Sequence, residues 1–83
     1  MQPTITIYGT QWCPDCWRAK RFLTHHAIPF TWIDIDNDRD GEQLVLRINQ
    51  GMRSVPTILF GDGSHLVEPS TQDLSIKLGF SNS

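Results

Sequence analysis

Two thiols stand three residues apart in Trp12-Cys13-Pro14-Asp15-Cys16, and the chain has no other cysteine. Sulfur chemistry is therefore confined to this run, where a pair so spaced can cycle between dithiol and disulfide or hold a metal ion. Upstream, Thr4-Ile5-Thr6-Ile7-Tyr8 alternates with period two and is rich in β-branched residues, the pattern of a half-buried strand, and Gly9-Thr10 end it. From Pro14 onward Cys16, Ala19, Phe22, Leu23 and His26 fall at helical spacing, with proline in the first turn where its missing N–H costs nothing. Cys13 is thus expected to cap a helix. Unpaired amides and the positive dipole end favour thiolate over thiol there, and in Cys-X-X-Cys motifs such a setting brings a thiol pKa from about 8.5 into roughly 3.5 to 7.5. Cys16, one turn further in, is the more shielded. Cys13 is accordingly the expected nucleophile toward a disulfide, and Cys16 the thiol that resolves the mixed disulfide.

Metal binding is the competing chemistry, with His25, His26 and His65 as further ligands. Zinc fingers need a second ligand pair whose members both reach the ion, but His25 and His26 are adjacent and diverge by about 100° around a helix. The alternation Asp34, Asp36, Asp38, Asp40 lacks the glycine and terminal glutamate of a calcium loop, and these residues are assigned to a strand end and a helix cap. Asp15 puts a carboxylate in the first turn, where it complements the dipole yet opposes a thiolate if it lies close to Cys13.

The elements that must carry the thiols alternate along the rest of the chain. Ile28-Pro29 marks a connection, Phe30 to Ile35 reads as a second strand, and Asp36 to Asp40 as a polar turn. Leu44, Val45 and Ile48 share a helical face, with Asn37 or Asp38 as cap and Gly51 as stop. Thr57-Ile58-Leu59-Phe60, Gly61-Asp62-Gly63-Ser64 and His65-Leu66-Val67 form a hairpin pattern. After Pro69, Ser70 or Thr71 opens a last amphipathic helix carrying Leu74, Ile76 and Leu78. The order is βαβαββα: a parallel pair with a right-handed crossover, then an antiparallel hairpin.

At 83 residues the expectation is one domain spanning 1–83, large enough for a thin core. Seven basic against nine acidic residues, a net charge of −2, argue against a nucleic-acid surface. Met1-Gln2-Pro3 has neither a charged n-region nor an apolar h-region, and no apolar run approaches the roughly 18 residues needed to cross a bilayer. A cytoplasmic protein without a membrane partner is expected, and in a reducing compartment a Cys-X-X-Cys pair reads as catalytic or metal-binding before it reads as structural.

Cys13-Pro14-Asp15-Cys16 after a first strand, Ser54-Val55-Pro56-Thr57 before a third, and a glycine-containing hairpin ahead of a final helix together resemble a glutaredoxin, of the thioredoxin fold family. The resemblance runs from Thr4 to about Phe80. Gly51-Met52-Arg53-Ser54-Val55-Pro56-Thr57, with Asp62-Gly63-Ser64 and Pro69-Ser70 behind it, is most similar to the small actinobacterial branch called mycoredoxins, which use mycothiol in place of glutathione. The resemblance implies an α/β, thioredoxin-like (glutaredoxin) fold with a four-stranded mixed sheet and flanking helices. It also implies a cis bond before Pro56, a form accessible to X-Pro at about 0.5 to 1 kcal/mol, that turns the Val55 backbone toward the thiols; the alternative is an ordinary trans proline at a strand entrance. The Val55 N–H and C=O would then pair with an extended thiol substrate as an added strand does.

Departures from the glutathione-using pattern bear on the partner. The usual Gly-Gly pair before the last helix is replaced within Glu68-Pro69-Ser70-Thr71-Gln72-Asp73, where Asp73 alone stands at a comparable place and proline removes a donor. The basic residue usual shortly before the first thiol is Gln11. Trp12 reads either as an exposed apolar landing surface or as a mostly buried ring, and Arg53 as a partner for a substrate carboxylate or as a solvated loop residue. The candidate site is thus Cys13 and Cys16 as catalytic pair, with Trp12, Pro14, Arg53, Val55, Pro56, Ser70, Thr71 and Asp73 as substrate-binding residues and no metal ligand.

The expected function is a thiol-disulfide oxidoreductase reducing mixed disulfides with a low-molecular-weight thiol as co-substrate, mycothiol-like first and glutathione next, and no bound cofactor. Expected partners are the small thiol and disulfide-containing proteins, with a flavoprotein disulfide reductase as a further candidate; a monomer is expected. An alternative is a thioredoxin-reductase-dependent, glutaredoxin-like electron donor to ribonucleotide reductase, whose sequences share the Gly-x-Arg-x-x-Pro segment. A zinc or iron-sulfur binding module ranks below both, since the proline within Cys13-Pro14-Asp15-Cys16 is usual in redox-active members of the resembled family.

Overall fold

The computed structural model describes residues 4–80. Along them lie β1 (Ile5–Gly9), α1 (Pro14–His25), β2 (Thr31–Asp34), α2 (Arg39–Ile48), β3 (Thr57–Phe60), β4 (His65–Val67) and α3 (Thr71–Leu78), in the expected βαβαββα order. The strands form one mixed sheet in the order β2-β1-β3-β4. β1 runs parallel to β2, with Ile7 opposite Trp32, and antiparallel to β3, with Ile7 opposite Ile58; β3 and β4 close the sheet as an antiparallel hairpin. A parallel neighbour demands a long crossover, which α1 supplies.

β1 is an interior strand covered on both faces, so it is more buried than the alternation of Thr4 to Tyr8 suggests. Ile5 and Ile7 join Ala19, Phe22 and Leu23 of α1, Ile58 and Phe60 of β3, and Leu74 of α3 in one cluster. Tyr8 points into a second cluster with Ile35 and with Val45 of α2. Helices on both faces of a sheet leave such a strand little solvent-facing surface.

Each helix is closed by local chemistry legible in its own residues. Cys13 is the N-cap of α1, in extended conformation, with Pro14 following. Asp38 caps α2, its Oδ1 accepting from the Gly41 N–H at 2.8 Å. That helix ends at Ile48, and Gln50 and Gly51 then take positive φ of 55° and 92°, the turn-off for which glycine suits. Ser70 caps α3 in a reciprocal box: Ser70 Oγ accepts from the Asp73 N–H and an Asp73 carboxylate oxygen accepts from the Ser70 N–H, each at 3.0 Å.

Two expectations need correction. Ile76 does not share the buried face of α3 but is 66% exposed, because a residue two positions from Leu74 projects about 200° around the helix axis from it. His26 lies past the end of α1 as its C-cap, where its ring stacks on Phe80 and tilts against Phe22, both with centroids 4.5 Å apart.

Replacing Ser70→Ala removes one half of the capping box, and should lower unfolding stability by about 1 kcal/mol, read as a shift in urea midpoint at unchanged slope.

Candidate active site

The thiols sit where the first turn of α1 meets the entrance of β3. Cys16 is completely buried, while Cys13 keeps 7% of its surface, so of the two thiols solvent touches Cys13 alone. Both are free thiols. Burial pushes the Cys16 thiol up to about 12; hydrogen bonding and charge from Cys13 and the charge of Asp15 add to the effect, and a hydrogen bond from the Thr10 backbone opposes it. Asp15 is itself paired with Arg18 at 2.7 Å. The helix begins tightly after β1: the Cys13 N–H donates to the Thr10 carbonyl at 3.4 Å.

Facing Cys13 is the segment before β3. The Val55–Pro56 bond is cis, and the Cys13 Sγ donates to the Val55 carbonyl at 3.8 Å across 42 residues of sequence. The side chain of Cys13 makes no cap hydrogen bond within its own helix. This ledge is braced from behind. The Thr57 hydroxyl donates to the Ser54 carbonyl at 2.8 Å and accepts from Asn49 Nδ2 at 3.0 Å, and the Glu68 N–H donates to the Pro56 carbonyl at 2.8 Å. Thr57 is fully buried, and these two hydrogen bonds satisfy its own hydroxyl.

A polar clasp crosses the β2–α2 side of the site. Trp12 is 68% exposed, and its Nε1–H donates to Asp36 Oδ2 at 3.0 Å. Arg53 donates from Nη2 to Asp36 Oδ1 and from Nε to Glu42 Oε2 at 2.7 Å. The hydrogen bonds from Arg53 and then Trp12 hold the Asp36 carboxyl below its ordinary value of 3.8. Asp36 therefore belongs neither to the strand end nor to the helix cap: Asp38 alone fills the cap, and Asp36 joins Trp12 to Arg53.

On the other side an open groove is lined by Pro14, Trp17, Arg18, Lys20, Arg21 and Thr71 among others. Thr71 and Pro14 are thereby brought together, whereas the polar groups of Ser70 and Asp73 are engaged with each other in the cap of α3. Trp17 donates to the Gln11 carbonyl at 2.7 Å, and the Lys20 ammonium lies over both Trp17 and Trp32, at 4.7 and 4.0 Å from the ring centroids. Among the described residues no three or more His, Cys, Asp or Glu side chains converge as metal ligands, and no helix is long and apolar enough to cross a membrane.

Gly9 is a site residue that the spacing analysis passes over. A Cβ there would lie 2.5 Å from Cys16 Sγ and 2.8 Å from the Trp32 ring, so the strand can approach the thiol only without a side chain. Its signal was present as a glycine inside an apolar strand, which marks a close approach of something to the backbone. Asp36 and Glu42 gave no comparable signal, since their roles depend on which loop Arg53 reaches.

A βαβαββα chain with a Cys-X-X-Cys at the helix start and a cis-proline ledge against it defines a thiol-disulfide oxidoreductase of thioredoxin-like fold. The glutaredoxin family model matches residues 5–66, and the chain belongs to that family. It is 42% identical over 74 residues to a Mycobacterium tuberculosis protein named as a glutaredoxin, covering 89% of this chain and 88% of that one. It is 34% identical, over 89% of this chain and 91% of the relative, to mycoredoxin 1 of Corynebacterium glutamicum. Among solved structures, the glutaredoxin of Archaeoglobus fulgidus superposes with a TM-score of 0.72 at 26% identity, covering 89% of this chain and 84% of that one.

Gly9→Ala should cost about 1–3 kcal/mol by overpacking, and reduced protein carrying it should show a displaced Cys16 by NMR chemical shift. Asp36 predicts an acid transition as well. Its carboxyl is depressed in the folded state, so the contribution of the clasp is complete above the ordinary value of 3.8 and is lost as pH falls below it. In Cys13→Ser protein, which has no titrating thiol next to the ring, Trp12 fluorescence obtained as the difference from the further change Trp12→Phe should alter in that acid range.

Proposed function

We propose that the protein reduces mixed disulfides between a protein thiol and a small thiol, with Cys13 as nucleophile and mycothiol as the small thiol. The observation that supports this most directly is the pairing of a marginally exposed Cys13 sulfur with the Val55 carbonyl, above a Cys16 that solvent does not reach. The Cys13 thiolate attacks the small-thiol sulfur: a Cys13–sulfur bond forms as the mixed disulfide breaks, and the protein sulfur leaves as thiolate and takes up a proton. A second small-thiol thiolate then attacks the adduct. It supplies the electrons, leaves as small-thiol disulfide and returns Cys13 as thiolate.

Resolution by Cys16 is the dithiol branch, in which its thiolate expels the small thiol and a Cys13–Cys16 disulfide forms. Because burial pushes the Cys16 thiol to about 12, it is protonated near neutrality and must lose that proton before it can attack. That favours an external thiol as the working resolver. Mycothiol is supported by the identity with mycoredoxin 1 and by Pro69 and Gln11, which depart from the glutathione-using pattern. Val55 and Pro56 would hold the conjugate along the ledge, Pro14 and Thr71 would flank it on the groove side, and Ser70 with Asp73 would fix the helix end behind Thr71. The chain acts in this reading as a single-domain monomer of the reducing cytoplasm, where such a pair persists as dithiol.

Cys16→Ser protein offered mycothiol disulfide should gain the mass of one mycothiol on Cys13, and should keep a substantial part of its turnover of mycothiolated peptide, whereas Cys13→Ser should lose at least ~100-fold. Absence of an adduct on Cys13 overturns the mechanism, and equal loss in both variants makes the dithiol route obligatory. In the reduced wild type, iodoacetamide at pH 7 to 8 should leave Cys16 unmodified, as peptide mapping would show.

A further inference from the structure

The wall beside the Val55 ledge has properties that the reductase reading does not use. Trp12 precedes Cys13 directly, Arg53 stands two residues before Val55, and Asp36 accepts from Trp12 and Arg53, so the wall stands beside the ledge that faces the Cys13 sulfur. Its one cation is already matched. Arg53 is held by Asp36 and by Glu42, and a substrate carboxylate arriving there must displace one of them and then lie beside its charge. The two carboxylates retain 38% and 33% of their side-chain surface, and an ionised carboxylate only accepts, so what they offer an incoming molecule is a place for hydroxyl donors. Trp12 has spent its N–H on Asp36 and remains exposed, its ring an apolar plate that fits the C–H face of a saturated ring.

We propose that Trp12, Asp36, Glu42 and Arg53 form a specificity wall that accepts an uncharged, hydroxyl-rich group on the small thiol and resists one ending in a carboxylate, with Asp36 positioning Trp12 and Arg53. The proposal rests on the reading that Cys13 exchanges with small-thiol mixed disulfides. Selection here works through occupancy: the guanidinium that would draw an anion is kept neutralised by its own fold.

The test compares one peptide carried as a mixed disulfide with mycothiol, whose non-cysteine half is a neutral polyol, or with glutathione, which ends in carboxylates. Second-order rate constants for both are measured with wild type, with Asp36→Glu, and with the double variant Asp36→Asn, Glu42→Gln, with thermal melts alongside. The double variant frees Arg53 and should move the rate ratio toward the glutathionyl peptide by about two- to fivefold, the scale of one exposed charge pair gained. Asp36→Glu keeps the acceptor and should keep most of the wild-type preference. A merely structural role would lower both rates together with the melting temperature and leave the ratio unchanged, which overturns the proposal, as does a wild type that prefers the glutathionyl peptide. Reaction with neither peptide overturns the reductase reading and this proposal together, whereas reaction with an unchanged ratio overturns this proposal alone.

Discussion

The contact between the Cys13 sulfur and the Val55 carbonyl joins segments 42 residues apart, and the rest of the molecule is arranged to make it. Pairing of β1 with β3 brings the loop after one strand beside the loop before the other, because the strands are antiparallel and Tyr8 stands opposite Thr57. The helix that carries Cys13 leaves from the same end of β1, so its first turn and the ledge meet at that end of the two central strands. Asn49, Thr57 and Glu68 then fasten the ledge with hydrogen bonds from three different elements or their ends. A donor and acceptor so anchored cost little further ordering when a substrate arrives.

Burial divides the two thiols more sharply than sequence position does. One helical turn takes a sulfur from the margin of solvent to a wholly enclosed position against Gly9 and Trp32, where the uncharged form is favoured. The pair is therefore asymmetric before any substrate is present. Packing at Gly9 creates this asymmetry, so the strand backbone takes part in the chemistry although it carries no functional side chain there.

What was legible in the residues was whatever acts locally. Asp38 and Ser70 could be read as caps because their partner amides lie three residues further on, and Gly51 as a stop because α2 must turn there. The alternation of β1, the helical period from Pro14 and the hairpin glycines fixed the element order for the same reason. Nothing in the residues around Arg53 announces its partners Asp36 and Glu42, which lie 17 and 11 residues away. Trp12 likewise bonds a residue 24 positions on. Such pairings arise from the way loops meet once the sheet is formed, and no period or motif encodes them.

The basic groove along α1 has its counterpart across the thiols. Arg18, Lys20 and Arg21 line the groove, with Arg18 paired to Asp15, while on the clasp side Asp36 and Glu42 are paired to Arg53. Exposed charges of this kind act over roughly 8 Å at physiological ionic strength before screening dominates. An anionic group approaching Lys20 and Arg21 is attracted within that range, so its arrival slows as salt is added even where the sulfur chemistry is unchanged.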